Sequence, residues 1–148
     1  MRFAIVVSQF NPAVTSGLLS GAKQVLKEEK IELQSHDIFE APGAFEAPLI
    51  AQELAKTGHY SGVICLGCVI KGDTAHFEFI SLGATFGLMQ AGLATGTPIS
   101  FGILTTYTDE QAKIRSEENG ENKGREAALA CLTSARLLKR IRTSPGMP

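Results

Sequence analysis

Four short runs rich in apolar and β-branched residues alternate with longer helical patterns, and this alternation constrains the fold most. The runs cover residues 2–8 (RFAIVVS), 32–39 (ELQSHDIF), 62–70 (GVICLGCVI) and 98–106 (PISFGILTT). The first, third and fourth are nearly continuous in apolar residues, as expected of strands buried on both faces of a parallel sheet. The second alternates, with Leu33, Ser35, Asp37 and Phe39 on one face, which is typical of an edge strand.

The segments between these runs carry the three- and four-residue apolar spacing of amphipathic helices. The predicted helices run from a cap at Thr15 or Ser16 to Lys30, from Ala44 to Lys56, from His76 to Ala94, from a cap at Asp109 to Arg115, and from Lys123 to Arg142. Strands that alternate with helices in this way form an open parallel sheet with helices on both faces. We therefore expect residues 1–148 to form a single α/β domain with four strands and a frayed tail from about residue 143.

The composition of the chain limits the classes of function that it can have. The chain has 148 residues, of which 44% are hydrophobic and 20% charged, and its formal net charge is −1. This charge gives no reason to expect a nucleic acid or an anionic membrane as partner. No continuous apolar run reaches the roughly 18 residues of a membrane span. Because the N-terminus enters a strand pattern without the cleavage region of a signal peptide, we expect a cytoplasmic protein.

Three cysteines raise the question of redox or metal chemistry. Their odd number, without disulfide spacing, fits a reducing compartment. Cys65 and Cys68 form a C-x-x-C inside a strand pattern, whereas redox pairs begin a helix that lowers the thiol pKa. His76 and Glu78 supply the H-x-E of zinc deaminases, but the P-C-x-x-C that must follow is missing. The residues therefore favour neither a redox pair nor a metal site.

Residues 71–76 (KGDTAH) follow the third run, at the strand end where ligands bind in open parallel sheets. Gly72 permits close backbone approach, and the amides of Asp73 and Thr74 begin a helix, an arrangement that binds anions. The order is not that of a Walker A loop, so the segment fits either a phosphate site or an ordinary turn. His76 stands where an imidazole could exchange protons near neutral pH, or where a polar residue begins a helix.

Two other loops place aromatic and acidic side chains at the same predicted edge. Glu46 follows the turn Pro42-Gly43 and could accept hydrogen bonds from a polyol, although a carboxylate is also favourable at a helix N-terminus. Phe10 follows the first run and could stack on a flat ligand ring or belong to the core.

These segments occur together in one order: QFN at 9–11, PGAFE at 42–46, GCVIKGDTAHF at 67–77, FGILTT at 101–106, and Arg115 followed by ENKG at 121–124. Over residues 2 to about 140 the chain resembles the 6,7-dimethyl-8-ribityllumazine synthase family. That family condenses 5-amino-6-(D-ribitylamino)uracil with 3,4-dihydroxy-2-butanone 4-phosphate, releasing phosphate and water, in the penultimate step of riboflavin biosynthesis. The resemblance implies a flavodoxin-like three-layer sandwich and a reaction with no metal or organic cofactor.

The resemblance also implies roles for residues that match the family pattern. Phe10 would stack on the uracil ring, and the ribityl chain would be held by Ala44, Phe45 and Glu46. The edge of the uracil would meet the backbone, chiefly, of Cys68, Val69 and Ile70. The phosphate of the butanone would be bound by Asp73 and Thr74. His76 would be the catalytic residue that transfers protons. Phe101, Arg115 and Lys123 would close the pocket from a neighbouring subunit, with Arg115 on the phosphate and Lys123 on the polar edge of the ring.

The predicted helix from His76 to Ala94 is apolar on two sides. One stripe consists of Phe79, Leu82, Phe86 and Met89, and the other of Phe77, Ile80, Ala84, Leu88 and Ala91. One stripe would face the sheet, so the other is buried either by the chain's last helix or by copies of the same helix in a ring. Gly83 and Gly87 would let another backbone come close. The resemblance implies the ring, a homopentamer or an assembly of pentamers.

Departures from the family pattern bear on assembly more than on chemistry. Lys71 and Ala75 stand where relatives often carry other residues, and we expect little effect from them. The acidic segment 116–121 and the start of the chain at its first core strand do not favour a 60-subunit shell.

Two other functions use the same scaffold. An archaeal-type riboflavin synthase is disfavoured by PGAFE and GDTAHF, and a non-catalytic flavin- or pterin-binding shell protein is disfavoured by the presence of His76 and Arg115.

Overall fold

A computed structural model describes residues 1–146 and contains one four-stranded parallel sheet. The strands are β1 (Phe3–Ser8), β2 (Ile38–Ala41), β3 (Gly62–Ile70) and β4 (Ile99–Thr106), in the spatial order β2-β1-β3-β4. This is the order of the flavodoxin type of doubly wound sheet. β1 and β3 occupy the centre and are buried, apart from the last two residues of β3. The predicted edge position of the second strand is confirmed.

Helices cover both faces of the sheet, as predicted. They are α1 (Pro12–Glu28), α2 (Ala47–Lys56), α3 (His76–Thr95), α4 (Asp109–Ile114) and α5 (Lys123–Thr143). α1 and α5 pack on one face over large side chains such as Phe3, Ile5 and Leu132. α2 and α3 pack on the other face largely through alanines. α5 ends at Thr143, about where a frayed tail was predicted to begin, and residues 147 and 148 of that tail lie outside the described residues.

The backbones of α1 and α5 are in close contact. A Cβ atom on Gly124 would collide with the carbonyl of Leu18, so only glycine fits there. Asn122 caps α5 by accepting a hydrogen bond from the Arg125 N–H at 3.0 Å, and its amide nitrogen contacts the carbonyl oxygens of Gly17 and Ser116 at 3.2 and 3.1 Å. This contact fixes the loop before α5 against α1.

The second strand is shorter than predicted and begins later. Residues 35–37 form a 3-10 turn, and the strand covers 38–41 instead of 32–39. The turn exists because the buried carboxylate of Asp37 accepts bonds from Arg2 Nη2 at 2.7 Å, the Tyr60 hydroxyl at 3.0 Å and the Gln34 N–H at 3.1 Å. The alternation at 32–37 therefore comes from a turn with a buried acid. His36, predicted in the strand, lies in this turn with its ring exposed and Nε2 at 2.8 Å from Arg2.

α1 starts earlier than predicted and ends earlier. Asn11 has left-handed backbone geometry (φ 55°), its carbonyl accepts the Thr15 N–H at 3.0 Å, and Pro12 begins the helix. Thr15 and Ser16 lie inside the helix and donate their hydroxyls to carbonyls one turn back, so the prediction that either caps the helix is wrong. The helix ends at Glu28 because Lys30 adopts a left-handed conformation (φ 58°).

Two other helix boundaries also differ. α2 begins at Ala47 rather than Ala44, because residues 44–46 form a turn, although Pro48 does lie in its first turn. α4 is capped by Thr108, whose hydroxyl accepts the Gln111 N–H at 3.1 Å, and not by Asp109. It ends at Ile114, one residue before the predicted end. α3 and α5 match their predicted bounds to within one residue.

The two apolar stripes of α3 have different environments. Ala84, Leu88 and Ala91 are buried against the sheet and α2. The outer stripe is uncovered, with exposures between 63 and 78% for Phe79, Leu82, Phe86, Met89 and Leu93. α5 lies on the opposite face of the sheet, so the alternative in which the last helix covers this stripe is wrong.

By length and composition alone, α3 could cross a membrane, with a mean hydropathy of 1.2 over a window that is 17% buried. The sequence expectation counted uninterrupted apolar residues and so missed this property. Both ends of α3 continue into parallel strands of one sheet, and its alanines pack on that sheet, so the helix lies across the sheet face.

The Asp37 cluster predicts a pH-dependent contribution to stability. Burial alone would raise the pKa of Asp37, but bonds from Arg2, the Gln34 backbone and Tyr60 hold it below its ordinary value. Its contribution is therefore present above the unfolded-state pKa and is lost as pH falls through the folded-state pKa. Asp37→Asn should lower the free energy of unfolding at neutral pH by about 1–3 kcal/mol.

Urea unfolding from neutral pH to below the ordinary carboxyl range measures this effect, and the difference between wild type and variant should shrink as the pH falls. Glu53→Gln is the matched control, because Glu53 forms only an exposed pair with Lys56. An equal loss in both variants would contradict a special role for Asp37.

Candidate active site

The loops after β1 and β2 bring an aromatic ring and a carboxylate together. Phe10 is 66% exposed, so the alternative that it belongs to the core is wrong. A Cβ atom on Gly43 would lie 3.3 Å from the Phe10 ring and 3.2 Å from a carboxylate oxygen of Glu46. Glycine at 43 therefore lets both side chains meet at the carboxyl edge of the sheet, as the sequence predicted.

The turn that carries Ala44, Phe45 and Glu46 is held against α3. A Cβ atom on Gly83 would lie 3.1 Å from the Phe45 ring, and one on Gly87 would lie 2.8 Å from Pro48. The close approach predicted at the two glycines of α3 is therefore made by the same chain, through the turn before α2 and the first turn of α2. Ala44 is buried beneath the turn.

The end of β3 forms a ledge beyond β1. The pairing of β1 with β3 ends at Val7 with Leu66, whereas β3 continues to Ile70 and stays paired with β4. The backbone of residues 67–70 thus extends past β1 at the site. The Asn11 side chain donates to the Cys68 carbonyl at 3.1 Å and closes part of this ledge. Sequence analysis missed this role of Asn11, although its place directly after the strand was a signal.

Residues 71–76 form the phosphate-loop candidate and are all exposed at the start of α3. The His76 N–H donates to the Thr74 hydroxyl at 3.3 Å. Within the part of the chain that the structure describes, the space where a Gly72 side chain would stand is open. The structure therefore places Asp73, Thr74 and His76 beside one another, at the edge that also carries Phe10 and Glu46.

Phe101, Arg115 and Lys123 form a second group on the outer side of β4. They line one cavity of about 270 Å³. The Lys123 N–H donates to the Arg115 carbonyl at 2.8 Å, and the Lys123 ammonium pairs with Glu126 at 2.7 Å. Phe101 precedes the last residue of β4 by five positions, which is roughly 16 Å along a strand. Phe101 therefore lies well back from the carboxyl edge of its own chain, and the cavity that it shares with Arg115 and Lys123 runs along β4 as far as Thr106.

The cysteines are thiols buried in the core. Burial raises the pKa of Cys68 to about 11, with the nearby Asp109 adding to the effect, and raises the pKa of Cys131 to about 12. Burial also raises the pKa of Cys65. All three are free, and Cys65 and Cys68 lie within β3, so a reactive pair has no support. Among residues 1–146, no three His, Cys, Asp or Glu side chains cluster to hold a metal ion.

An open parallel sheet whose carboxyl edge gathers an exposed aromatic ring, a carboxylate and a helix start is typical of α/β proteins that bind a small ligand at that edge. The family model described as 6,7-dimethyl-8-ribityllumazine synthase matches residues 1–139. The chain belongs to that family. It is a transferase that condenses 5-amino-6-(D-ribitylamino)uracil with 3,4-dihydroxy-2-butanone 4-phosphate in riboflavin biosynthesis.

Three relatives illustrate the match, and each covers 95% of this chain. 6,7-Dimethyl-8-ribityllumazine synthase 1 of Caulobacter vibrioides is 67% identical, with 92% of its own length covered. The lumazine synthases of Salinibacter ruber and Deinococcus radiodurans are 46 and 43% identical, with 90 and 91% covered. These similarities favour lumazine synthase over the riboflavin synthase and shell-protein alternatives.

The buried thiols lead to a prediction about reactivity. Because their pKa values are raised, Cys65, Cys68 and Cys131 should stay protonated at pH 8 and react slowly with a disulfide reagent until the protein unfolds. Lys27→Cys, which adds a thiol on the exposed side of α1, is the control and should react at once. Fast reaction of a thiol in the folded wild type would contradict the structural role.

Proposed function

We propose that the condensation takes place at sites shared between neighbouring subunits. The observation that carries this proposal is a cavity that Phe101, Arg115 and Lys123 line and to which Phe10, Glu46 and His76 do not contribute. Phe10, Glu46 and His76 stand at the carboxyl edge, whereas Phe101, Arg115 and Lys123 stand on the outer side of β4. Each group is incomplete for binding both substrates, and a head-to-tail ring would join one group to the other in every pair of neighbours.

The first half of the site binds the ribitylaminouracil. The exposed ring of Phe10 stacks on the uracil, and the backbone of Cys68, Val69 and Ile70 meets the edge of the ring. The ledge of β3 beyond β1 supports this role, because its backbone groups there need partners. Ala44, Phe45 and Glu46 hold the ribityl chain, with the Glu46 carboxylate accepting hydroxyl hydrogen bonds.

The loop before α3 binds the phosphate of the second substrate. The amides of Asp73 and Thr74 precede a helix of 20 residues, whose N-terminus favours negative charge. His76 follows directly and transfers protons at the reacting atoms. The exposure of this loop supports the assignment, since a ligand can reach it.

The neighbouring subunit supplies the second half. Its Arg115 pairs with the phosphate, its Lys123 contacts the polar edge of the uracil ring, and its Phe101 closes the pocket. Arg115 uses one guanidinium nitrogen to bind the Gln111 carbonyl at 3.0 Å, which orients the group within its own chain. A guanidinium fixed in this way forms strong charge-assisted bonds to a phosphate.

The reaction needs proton transfers and positioning more than a strong nucleophile. An amine of the uracil attacks the ketone, a Schiff base forms, phosphate leaves, and the ring closes with loss of water. Because several of these steps move a proton, one histidine that acts as both acid and base can serve the whole series of reaction steps. Both substrates are reactive on their own, so most of the rate enhancement comes from holding them together.

The assembly is a homopentamer formed by α3. The uncovered stripe of Phe79, Leu82, Phe86, Met89 and Leu93 is a contiguous apolar face of the kind that protein interfaces cover. A groove of about 780 Å³ lies between α3, β4 and α5 and offers an apolar surface for a neighbour on the same side as Phe101. The cytoplasm is the proposed location, because all three thiols are free and buried.

His76→Ala should lower turnover by about 10- to 10⁴-fold, because one acid and base is removed. Arg115→Ala should instead raise the KM for the butanone phosphate, because its phosphate loses a charge-assisted partner. Lumazine fluorescence measures both in an assay without added metal. An unchanged KM in Arg115→Ala would contradict its role.

Mixing the two impaired variants, assayed at a butanone phosphate concentration well below the KM of Arg115→Ala, tests the shared site directly. After joint refolding in equal amounts, roughly a quarter of the sites in a head-to-tail ring contain both intact halves, so activity should return to that fraction of wild type. Each variant refolded alone is the control. No recovery in mixed rings of normal size would show that His76 and Arg115 act from the same chain.

A charge on the outer stripe of α3 should break the assembly. Leu82→Glu, at a position 68% exposed in the single chain, should give smaller species in sedimentation velocity and lose activity, because burying an unpaired carboxylate is costly. Lys27→Glu on α1 is the control and should leave the size unchanged. A Leu82→Glu protein of wild-type size would exclude this stripe from the interface.

A further inference from the structure

Tyr107 contacts both ends of the phosphate-loop candidate. It follows β4 directly, and its ring centroid lies 6.0 Å from that of Phe77, the residue after His76. The Lys71 ammonium lies 5.6 Å from the same centroid. Residues 72–75 run between these two contacts, so one aromatic ring holds the start and the end of the loop.

The loop has few other restraints. Its residues are exposed, the Lys71 N–H donates to the Thr106 carbonyl at 2.9 Å, and the His76 N–H donates to the Thr74 hydroxyl. Tyr107 is better fixed, because its N–H donates to the side chain of Gln111 at 2.9 Å and the preceding Thr106 is buried. The backbone of Tyr107 is thus held at the end of β4, and its ring, which is 65% exposed, lies beside both ends of the exposed polar loop.

Charge gives the contact with Lys71 a second consequence. The loop carries the Asp73 carboxylate, which repels a phosphate dianion. A cation over the face of a tyrosine ring is held by the electrostatics of the ring. The Lys71 ammonium is thereby held over the Tyr107 ring, two residues along the chain from Asp73.

We propose that Tyr107 is a positioning residue that holds Lys71 beside the phosphate loop, and that Lys71 is a further cation for the phosphate of the butanone substrate. This inference rests on the proposed role of Asp73 and Thr74. It assigns specificity for the phosphorylated substrate to the Lys71–Tyr107 pair, in addition to the arginine of the neighbouring subunit.

The test compares KM for each substrate, and inhibition by inorganic phosphate, in Tyr107→Leu, Lys71→Gln and the double variant. Each single variant should raise the KM for the butanone phosphate and the inhibition constant of phosphate about two- to tenfold, since an oriented cation is lost. The KM for the ribitylaminouracil should stay unchanged. The double variant should be no worse than Lys71→Gln, because Tyr107 acts through Lys71.

Two variants are matched controls: Tyr107→Phe keeps the aromatic ring, and Lys71→Arg keeps the positive charge. Both should bind phosphate as the wild type does. Equal increases in both KM values, additive effects in the double variant, or wild-type constants in Tyr107→Leu would each overturn the proposal. Should Tyr107→Leu fail to fold, Lys71→Gln and Lys71→Arg decide, because Lys71 is exposed and outside the core. When only this inference fails, Arg115→Ala still raises the KM for the butanone phosphate. When the proposed phosphate site itself fails, Arg115→Ala leaves that KM unchanged.

Discussion

The parallel pairing of β1 with β3 in the centre of the sheet is the constraint on which the site depends. Both strands are buried and run in the same direction, so their carboxyl ends lie at one edge. Phe10 and Thr74, which are far apart in sequence, follow these two ends. The register also makes β3 extend beyond β1 at this edge. A shift in register would remove this ledge and would also move apart the loops that follow β1 and β3.

The two helical layers have different properties, and the difference suits their roles. α1 and α5 touch through glycine and are bridged by the Asn122 side chain, so the loop that carries Arg115 and Lys123 has a fixed base. α2 and α3 instead pack through alanines, with the Phe45 ring placed on Gly83. The first layer holds cationic groups in place, and the second presents an apolar surface.

Elements whose signal is local could be predicted from the sequence. The three continuous strands, α3 and α5 were predicted to within one residue or two, because apolar runs and helical spacing depend on neighbouring residues. The second strand was misjudged because Asp37 is held by Arg2 and Tyr60, which come from distant parts of the chain. The start of α1 depends on the backbone of Asn11. The candidate site residues were proposed from their order in the sequence. Tyr107 was not among them, because its contact with Lys71 exists only where β3 and β4 lie side by side.

The uncovered stripe of α3 affects the chain before it has any partner. Each newly synthesised copy folds with phenylalanine, leucine and methionine side chains facing water, a surface that attracts chaperones and promotes aggregation. Whatever covers this stripe also removes it from those competing reactions. In the proposed pentamer other copies cover the stripe, so the abundance of the enzyme in the cell should fall more steeply than its synthesis rate when expression is low, because scarce chains spend longer exposed to proteolysis.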